Sequence, residues 1–188
     1  MPSAKPPRIK PLPPDQRDDR TREVMDGLRS PRGGDDELNI FATLAHHPKL
    51  LKRWSAFGGV LLGGSDLPAR DREILILRTG WNCQAEYEWG QHAAIGRAAG
   101  LTDDEIHRIA EGPDAGWDDF DATLLRAADE LHHDAVISDA TWNQLVQRYD
   151  KKQLIEVCMV VGQYHLVSFT LNSLGVQREA GVEGLPTL

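Results

Sequence analysis

The chain has 188 residues and a net charge of −8, with 40% hydrophobic and 27% charged residues. These are the length and composition of one globular domain that can bury a substantial core. Because the chain is acidic and has no basic stripe, we expect no binding to nucleic acid. The two cysteines, Cys83 and Cys158, make no disulfide framework, and free thiols favour a cytoplasmic location.

Neither export nor membrane insertion is expected from the sequence. Residues 1–20 lack the apolar core of a signal peptide. The longest apolar run falls in the last predicted helix, where Gly162, Gln163 and His165 interrupt it. We therefore do not expect this run to span a membrane.

The chain is predicted to have three parts. Residues 1–20 form a proline-rich, extended arm, residues 21–180 form one helical domain, and residues 181–188 form a C-terminal tail. No segment shows the alternation of a strand, so the predicted fold class is all-α with about eight or nine helices.

Hydrophobic spacing, caps and helix breakers predict where the helices lie. The first helix covers residues 17–28 and ends in the loop 30–37. Pro48 is expected to stop the second helix, and the pair Gly63-Gly64 to close the third. The second and third helices are predicted over residues 38–46 and 50–62. A fourth begins at Pro68, a fifth covers residues 85–99, and a sixth begins at the capping box of Thr102 and Glu105. The last three cover residues 120–132, residues 140–149 with Ser138 as the cap, and residues 153–174.

The stretch EILILRTGWNCQAEYEWGQH, which ends at His92, carries the most informative pattern. Glu88 and His92 are four residues apart, so on a helix they share one face. Glu73 lies among aliphatic residues, where a buried carboxylate is costly without a partner. The partners considered are His92, Arg72 and Arg78. We predict that Glu73, Glu88 and His92 converge on one pocket as a catalytic proton-transfer site.

A structural explanation of the same pattern stays open. Glu and His at this interval are common on helix surfaces, so His92 could be a partly exposed histidine that pairs with Glu88 for structural reasons alone. Glu73 is harder to explain in this way, because buried acids are rare unless they are paired.

Further side chains are candidate substrate contacts. Tyr87 and Trp89 are of types found mostly in cores or interfaces, but the Tyr87 hydroxyl can complete a polar pocket. Tyr164 and His165 lie in a polar interruption of the apolar last helix, which is expected to face a pocket, another helix or a subunit contact. Cys83, just before the EYEW motif, completes this group of candidate substrate contacts.

The sequence predicts neither a metal site nor a cofactor. Glu-x-x-x-His occurs once, without the second ligand pair of a di-iron site, and there is no Cys-x-x-Cys and no glycine-rich phosphate loop. The histidine pairs at 46–47 and 132–133 end helices, where an imidazole suits the helix dipole. His107 is expected to face solvent.

Residues 67–106, LPARDREILILRTGWNCQAEYEWGQHAAIGRAAGLTDDEI, resemble the carboxymuconolactone decarboxylase family, which is related to the alkylhydroperoxidase D (AhpD) proteins. The part of this resemblance most specific to the family is the motif EYEW-x-x-H, which follows the motif R-x-x-E-I-L in the chain. Residues 139–177 resemble the C-terminal half of longer members, so the resemblance covers residues 38–177. It implies an AhpD-like helical bundle that forms homotrimers or hexamers with pockets near subunit contacts. We expect the proline-rich arm to lie on a neighbouring subunit.

The peroxidase branch of that family has a glutamate followed by Cys-x-x-Cys and a histidine. Counting back from His92, the two cysteine positions hold Ala85 and Glu88, and the glutamate position holds Glu73. The disulfide-cycling mechanism of that branch therefore lacks its thiols here, and the resemblance favours the decarboxylase branch.

The decarboxylase branch implies a cofactor-independent lyase that acts on a small unsaturated lactone or carboxylate, in the breakdown of aromatic compounds. Loss of carbon dioxide leaves a dienolate, whose oxyanion must be held and whose carbon must receive a proton. His92, oriented by Glu88 or Glu73, is expected to hold the oxyanion, to donate the proton, or both. The alternatives are a peroxiredoxin-like antioxidant protein that uses Cys83 as a single thiol, and a homologue that binds a ligand without catalysis.

Overall fold

The computed structural model describes residues 6–28 and 37–188. Within these residues the chain forms nine α-helices and one short 3-10 helix and contains no strand, which confirms the predicted all-α fold. The predicted loop 30–37 lies outside the described residues except for Glu37. The helices are α1 (Asp19–Asp26), α2 (Asn39–Leu44), α3 (Pro48–Leu62), α4 (Ala69–Asn82), α5 (Glu86–Ala98), α6 (Asp103–Glu111), α7 (Asp119–His133), α8 (Asp139–Leu145) and α9 (Lys151–Leu174), and the 3-10 helix is Pro14–Gln16.

Pro48 begins a helix instead of ending one. α2 stops at Leu44, and Pro48 is the first residue of α3, where a missing N–H costs nothing because it would have no helical partner. His47 caps α3, since its Nδ1 accepts a hydrogen bond from Leu50 N–H at 3.4 Å. The prediction that Pro48 stops the second helix is wrong, because proline also favours helix starts.

The predicted capping signals are confirmed. Thr102 Oγ1 accepts from Glu105 N–H at 3.2 Å, and Glu105 Oε2 accepts from Thr102 N–H at 2.8 Å. Ser138 Oγ accepts from Thr141 N–H at 3.3 Å at the start of α8. Gly100 follows α5 with a φ of +99°, a conformation that favours glycine.

The helix predicted over residues 140–149 is shorter than expected. α8 ends at Leu145, and the chain then turns so that Tyr149 enters the core. The Tyr149 hydroxyl donates to Asp71 Oδ2 at 2.6 Å, which ties this turn to α4. A buried side chain with a tertiary partner has overridden the local helical pattern.

α4 and α9 form the centre of the bundle, and α5 and α7 also pack against α4. The side chains of α4 from Ile74 to Leu77 are fully buried, which requires neighbours on more than one face of the helix. α9 contributes Val157, Val160 and Val161 to the same core. This packing places the α4–α5 hairpin, with its acids and its histidine, inside the protein.

α9 is long and apolar enough to cross a membrane by length and composition alone. The polar residues near Gly162 do not interrupt the helix enough to change that. Half of its most apolar 18-residue window is buried inside the protein, where α9 packs on α4. This burial is typical of a core helix, which passes the same compositional test as a membrane span.

The described parts of the arm and the tail pack on their own chain. Arg8 N–H donates to Leu174 O at 2.8 Å, so the arm, expected on a neighbouring subunit, runs beside the end of α9 of its own chain. In the tail, Glu183 pairs with Arg97 of α5 at 2.6 Å, and Leu185 packs against the core. The predicted tail, residues 181–188, therefore contacts the helical domain through these two residues.

Candidate active site

The structure brings Glu73, Glu88 and His92 together from two helices. Glu73 lies on α4, and its Oε2 accepts a hydrogen bond from His92 Nδ1–H of α5 at 2.6 Å. Glu88 is one turn before His92 and places Oε1 3.0 Å from His92 Nε2. Arg72 Nε donates to the other carboxylate oxygen of Glu73 at 3.1 Å. The histidine is buried, which is not the position expected for a surface Glu–His pair.

Of the two arginines considered as partners for Glu73, only Arg72 contacts it. Arg78 instead pairs with Asp129 at 2.6 Å and donates to the backbone oxygen of Ile109 at 2.9 Å. These contacts tie α4 to α7 and α6, so Arg78 has a structural role outside the site.

Small residues let α4 and α5 approach closely enough for these contacts. A Cβ added at Gly80 of α4 would lie 3.8 Å from the Glu88 side chain, and one added at Gly96 of α5 would lie 3.8 Å from Glu73 Cβ. The turn between the helices passes through Gln84, which has a φ of +51°. Larger side chains at the two glycines would push the helices, and with them the acids and the histidine, apart.

His92 is a cation in this setting. Burial alone would lower the pKa of the imidazole, but the charges of Glu73 and Glu88 and their hydrogen bonds raise it to about 10. Tyr164 meets the ring edge-on, with centroids 4.8 Å apart. At neutral pH the site therefore holds an imidazolium between two carboxyl groups and has a proton to donate.

A cavity of about 520 Å³ opens beside these residues, a size suited to a small organic molecule. Arg72, Glu88 and His92 line it, as do Tyr87 and Tyr164, two of the predicted substrate contacts. Glu73 is not among the lining residues, because it is fully buried behind the imidazole. Much of the remaining wall is apolar or aromatic and includes Leu38, Ile40, Phe41, Trp54, Ile95 and Val167.

Several polar atoms around the cavity have no hydrogen-bond partner among the described residues. They are Trp54 Nε1, Ser55 Oγ and Gln91 Oε1, all of them buried and all in residues that line the cavity. An unpaired buried polar group costs about 1–3 kcal/mol.

Glu179 does not line the cavity but holds two residues of its wall in place, and the sequence analysis missed it. Tyr87 O–H donates to Glu179 Oε1 at 2.7 Å, Gln91 Nε2 donates to Oε2, and Asn39 N–H donates to Oε1 at 2.8 Å. Burial and then the Glu179 contact raise the pKa of the Tyr87 hydroxyl, which keeps it protonated. Glu179 is thus a positioning residue, and nothing in its sequence neighbourhood connects it to α5.

Of the predicted substrate contacts, Trp89, Cys83 and His165 do not line this cavity. Trp89 packs in the core against Trp81, with ring centroids 5.9 Å apart. Adjacent residues of a helix point in different directions, so Trp89 faces away from the side that Glu88 presents to the cavity. Cys83 follows the end of α4, and His165 lies beside His132.

The thiols of this chain are not arranged for redox cycling. Burial raises the pKa of the Cys83 thiol, and the Ser168 hydroxyl opposes this only in part. Cys158, the other cysteine, is exposed on α9, and both are free. Cys83 therefore has no resolving partner in the chain.

Cys83, His132 and His165 form a cluster of potential metal ligands that the sequence analysis also missed. One ligand atom of each lies within 4.8 Å of the other two. The three residues come from the ends of α4 and α7 and from the middle of α9, so no short spacing in the sequence indicates them. The cluster shares no residue with the lining of the cavity.

The fold is shared with solved AhpD-like structures. An uncharacterized peroxidase-related protein from Silicibacter sp. TM1040 gives a TM-score of 0.76 at 17% identity, covering 97% of this chain and 94% of that chain. The alkylhydroperoxidase AhpD core of an uncharacterized peroxidase-related protein from Ralstonia eutropha JMP134 gives 0.72 at 20% identity, covering 90% and 87%. The debrominase Bmp8 in complex with 2,3,4-tribromopyrrole gives 0.70 at 14% identity, covering 92% and 91%. At these identities the likeness establishes the fold alone.

The sequence gives a narrower assignment than the fold does. Residues 48–130 match the model of the carboxymuconolactone decarboxylase family. This match covers 83 of the 188 residues and, with the AhpD-like fold, bears out the resemblance to that family that the sequence motifs indicated. No curated protein sequence matches the chain.

Proposed function

We propose that this protein is a cofactor-independent lyase that decarboxylates a small unsaturated lactone or carboxylate. The observation that carries the proposal is the imidazolium of His92, which Glu73 and Glu88 hold at the wall of a mainly apolar cavity of about 520 Å³. Neither cysteine lines that cavity. The site therefore has a proton donor and a space for substrate, but no thiol, and the match to the family supports the same chemistry.

Arg72 is suited to bind the carboxylate of such a substrate. It lines the cavity, and its Nε is held by Glu73. Its Nη atoms make no hydrogen bond to residues 6–28 or 37–188, so they are free to pair with an anion. A guanidinium group binds a carboxylate through parallel N–H donors, which also fixes the orientation of the substrate.

The chemistry needs a cation and a proton at successive steps. The bond between the ring carbon and the carboxylate breaks, carbon dioxide leaves, and the electron pair moves into the conjugated carbonyl to give a dienolate. A preformed cationic wall stabilises that oxyanion. The dienolate carbon then takes a proton, for which His92 Nε2–H, beside Glu88, is the donor at the cavity. Glu73 is buried behind the ring and acts as a positioning residue, which narrows the catalytic role first predicted for it.

The test is turnover of a γ-carboxylated unsaturated lactone, followed as release of carbon dioxide. His92→Ala should lower turnover by roughly 10²–10⁴-fold, the usual effect of losing a general acid. His92→Gln keeps a hydrogen-bond donor but cannot deliver a proton, so it separates oxyanion binding from protonation. Glu73→Gln should reduce turnover less than His92→Ala, because the carboxylate only orients and charges the ring.

A matched control is available on α6. His107 and Glu111 form an exposed pair at the same four-residue interval, 3.1 Å apart. His107→Ala should leave turnover unchanged, and so should Cys83→Ser. Peroxide turnover that disappears in Cys83→Ser would instead support the antioxidant alternative. Tight ligand binding without any turnover, insensitive to His92→Gln, would support a non-catalytic homologue.

We also infer that the protein assembles with copies of itself, as the expected trimer or hexamer, through a seam on α9. Ile155, Met159, Leu166 and Phe169 are 64%, 43%, 52% and 58% exposed, although all four are large and apolar. With Gly162 they follow the alternating three- and four-residue spacing of a seam between paired helices. Seams from three copies can meet around a three-fold axis, as the expected trimer requires, and a two-fold contact between trimers would then give the hexamer.

The biological setting belongs to the same proposal. A lyase of this family with an unsaturated lactone as substrate fits the breakdown of aromatic compounds. Two free cysteines are consistent with the reducing conditions of the cytoplasm.

A further inference from the structure

The cluster of Cys83, His132 and His165 has no part in the proposed reaction, yet its geometry is that of a ligand set. Cys83 caps the end of α4, His132 lies in the last turn of α7, and His165 lies within α9. Asn172 Nδ2 donates to the backbone oxygen of Cys83 at 2.8 Å, which fixes the chain where the thiol is presented. All three ligand residues are partly exposed, so an ion has a path from solvent.

His165 is held in a tautomer that suits metal binding. His165 Nδ1–H donates to Val161 O at 2.8 Å, which leaves the lone pair on Nε2. Metal-bound histidines commonly make this kind of second contact to a backbone carbonyl. His165 Nε2 faces Nδ1 of His132 at 2.8 Å. Only one proton fits between these two nitrogens, and a metal ion can take its place and bind both.

We propose that Cys83, His132 and His165 bind one Zn²⁺ ion. One thiolate and two imidazoles are a donor set that suits zinc, which is normally four-coordinate and tetrahedral. With bonds of about 2.3 Å to sulfur and about 2.0–2.1 Å to nitrogen, ligand atoms lie roughly 3.3–3.6 Å apart. The ligand atoms of the cluster lie within 4.8 Å of one another and its two nitrogens 2.8 Å apart, so shifts of about 1 Å would bring them to these distances.

Binding forms one zinc–sulfur and two zinc–nitrogen bonds, the thiol proton leaves to solvent, and the proton of His132 moves from Nδ1 to Nε2. Water takes the fourth position. The ion links the ends of α4 and α7 to α9 at a distance from the cavity, so its first effect is to stabilise the folded bundle.

The experiment uses the full chain, freed of metal with a chelator and then titrated with Zn²⁺ or Co²⁺. Wild type should take up one ion per chain, show thiolate-to-cobalt charge-transfer absorption with Co²⁺, and gain thermal stability with Zn²⁺. Cys83→Ser should lose the charge-transfer absorption. His132→Gln and His165→Gln should each weaken metal affinity by at least about 10–100-fold, the range seen even for outer-shell changes.

The matched control is Cys158→Ser, which changes the exposed cysteine of α9 and should keep both the absorption and the stoichiometry. Circular dichroism of each variant in chelator establishes that it folds. If Cys83→Ser does not fold, the metal affinities of the two histidine variants test the zinc site instead. No uptake by wild type, or charge-transfer absorption lost in Cys158→Ser and kept in Cys83→Ser, would overturn the zinc site. None of these measurements depends on lyase activity.

Discussion

His92 Nδ1–H donates to Glu73 Oε2 at 2.6 Å between two helices and across 19 positions of sequence. Glu73 is 0% exposed and also accepts a hydrogen bond from Arg72 Nε. One carboxylate therefore serves two cations where water does not reach. This arrangement sets both the charge of the candidate site and its contribution to stability.

Replacing Glu73 with Gln should destabilise the protein by roughly 3–5 kcal/mol, the usual cost of removing one partner of a buried ion pair. His92 and Arg72 would both lose their shared counter-charge. The measurement is urea unfolding at neutral pH. Glu88→Gln is the matched variant, because Glu88 lines the cavity, is 4% exposed and contacts one cation instead of two, and it should cost less, about 1.5–3 kcal/mol. Equal losses in the two variants would contradict the positions described for these acids.

The raised pKa of His92 makes stability depend on pH in a defined direction. The folded-state pKa is about 10, against about 6.5 for an ordinary histidine. The imidazolium therefore stabilises the folded protein fully below about pH 6.5, and this contribution is lost as pH rises towards 10. Unfolding free energy should fall over that window in wild type and fall less in His92→Gln. A profile that is unchanged by this substitution would show that His92 is neutral in the folded protein.

The α4–α5 part of the site was predictable because its residues are constrained locally. Glu88 and His92 share a helix face by their spacing alone, and Glu73 needed a buried partner because it lies in an aliphatic run. The sequence left two arginines as alternatives. The structure selects Arg72, since Arg78 is engaged with α7 and α6.

The parts that the sequence did not reveal depend on contacts between distant segments. Glu179 reaches Tyr87 only because the chain folds back after α9. Cys83 and His165 were assigned to the substrate site, whereas tertiary packing places them with His132. Pro48 was misassigned for a local reason, since proline favours a helix start as well as a helix end.

Arg72→Gln should weaken binding of a carboxylated substrate while leaving an uncharged analogue unaffected. A hydrogen bond to a charged group contributes about 1.5–3 kcal/mol, so KM should rise roughly 10- to 150-fold. Steady-state kinetics and a fluorescence titration of the two ligands measure this difference. The conservative Arg72→Lys should recover only part of the affinity, because an ammonium group lacks the paired donors of guanidinium. A similar loss for both ligands would show that Arg72 acts on the fold and not on the carboxylate.

Gly90→Ala should displace the C-terminal segment from α5. A Cβ at this position would overlap the backbone oxygen of Glu183 and the side chain of Val182. Forcing a methyl group into such a contact costs about 1–3 kcal/mol. Thermal unfolding and limited proteolysis near the C-terminus should both report the change. Gly59→Ala is the control, since nothing lies within 4 Å of its added Cβ, and helix propensity predicts a gain of roughly 0.5–1 kcal/mol.

The exposed seam on α9 predicts that a charge at its centre will separate the subunits. Leu166→Glu should give monomers in light scattering at micromolar concentration, where wild type should have the mass of a trimer or a hexamer. The reason is that a carboxylate buried between two apolar helices has no partner. Val136→Glu is the control, because Val136 is 61% exposed and lies in the loop between α7 and α8, not on α9. A monomeric wild type would contradict the assembly, and an oligomeric Leu166→Glu would place the contact on another surface.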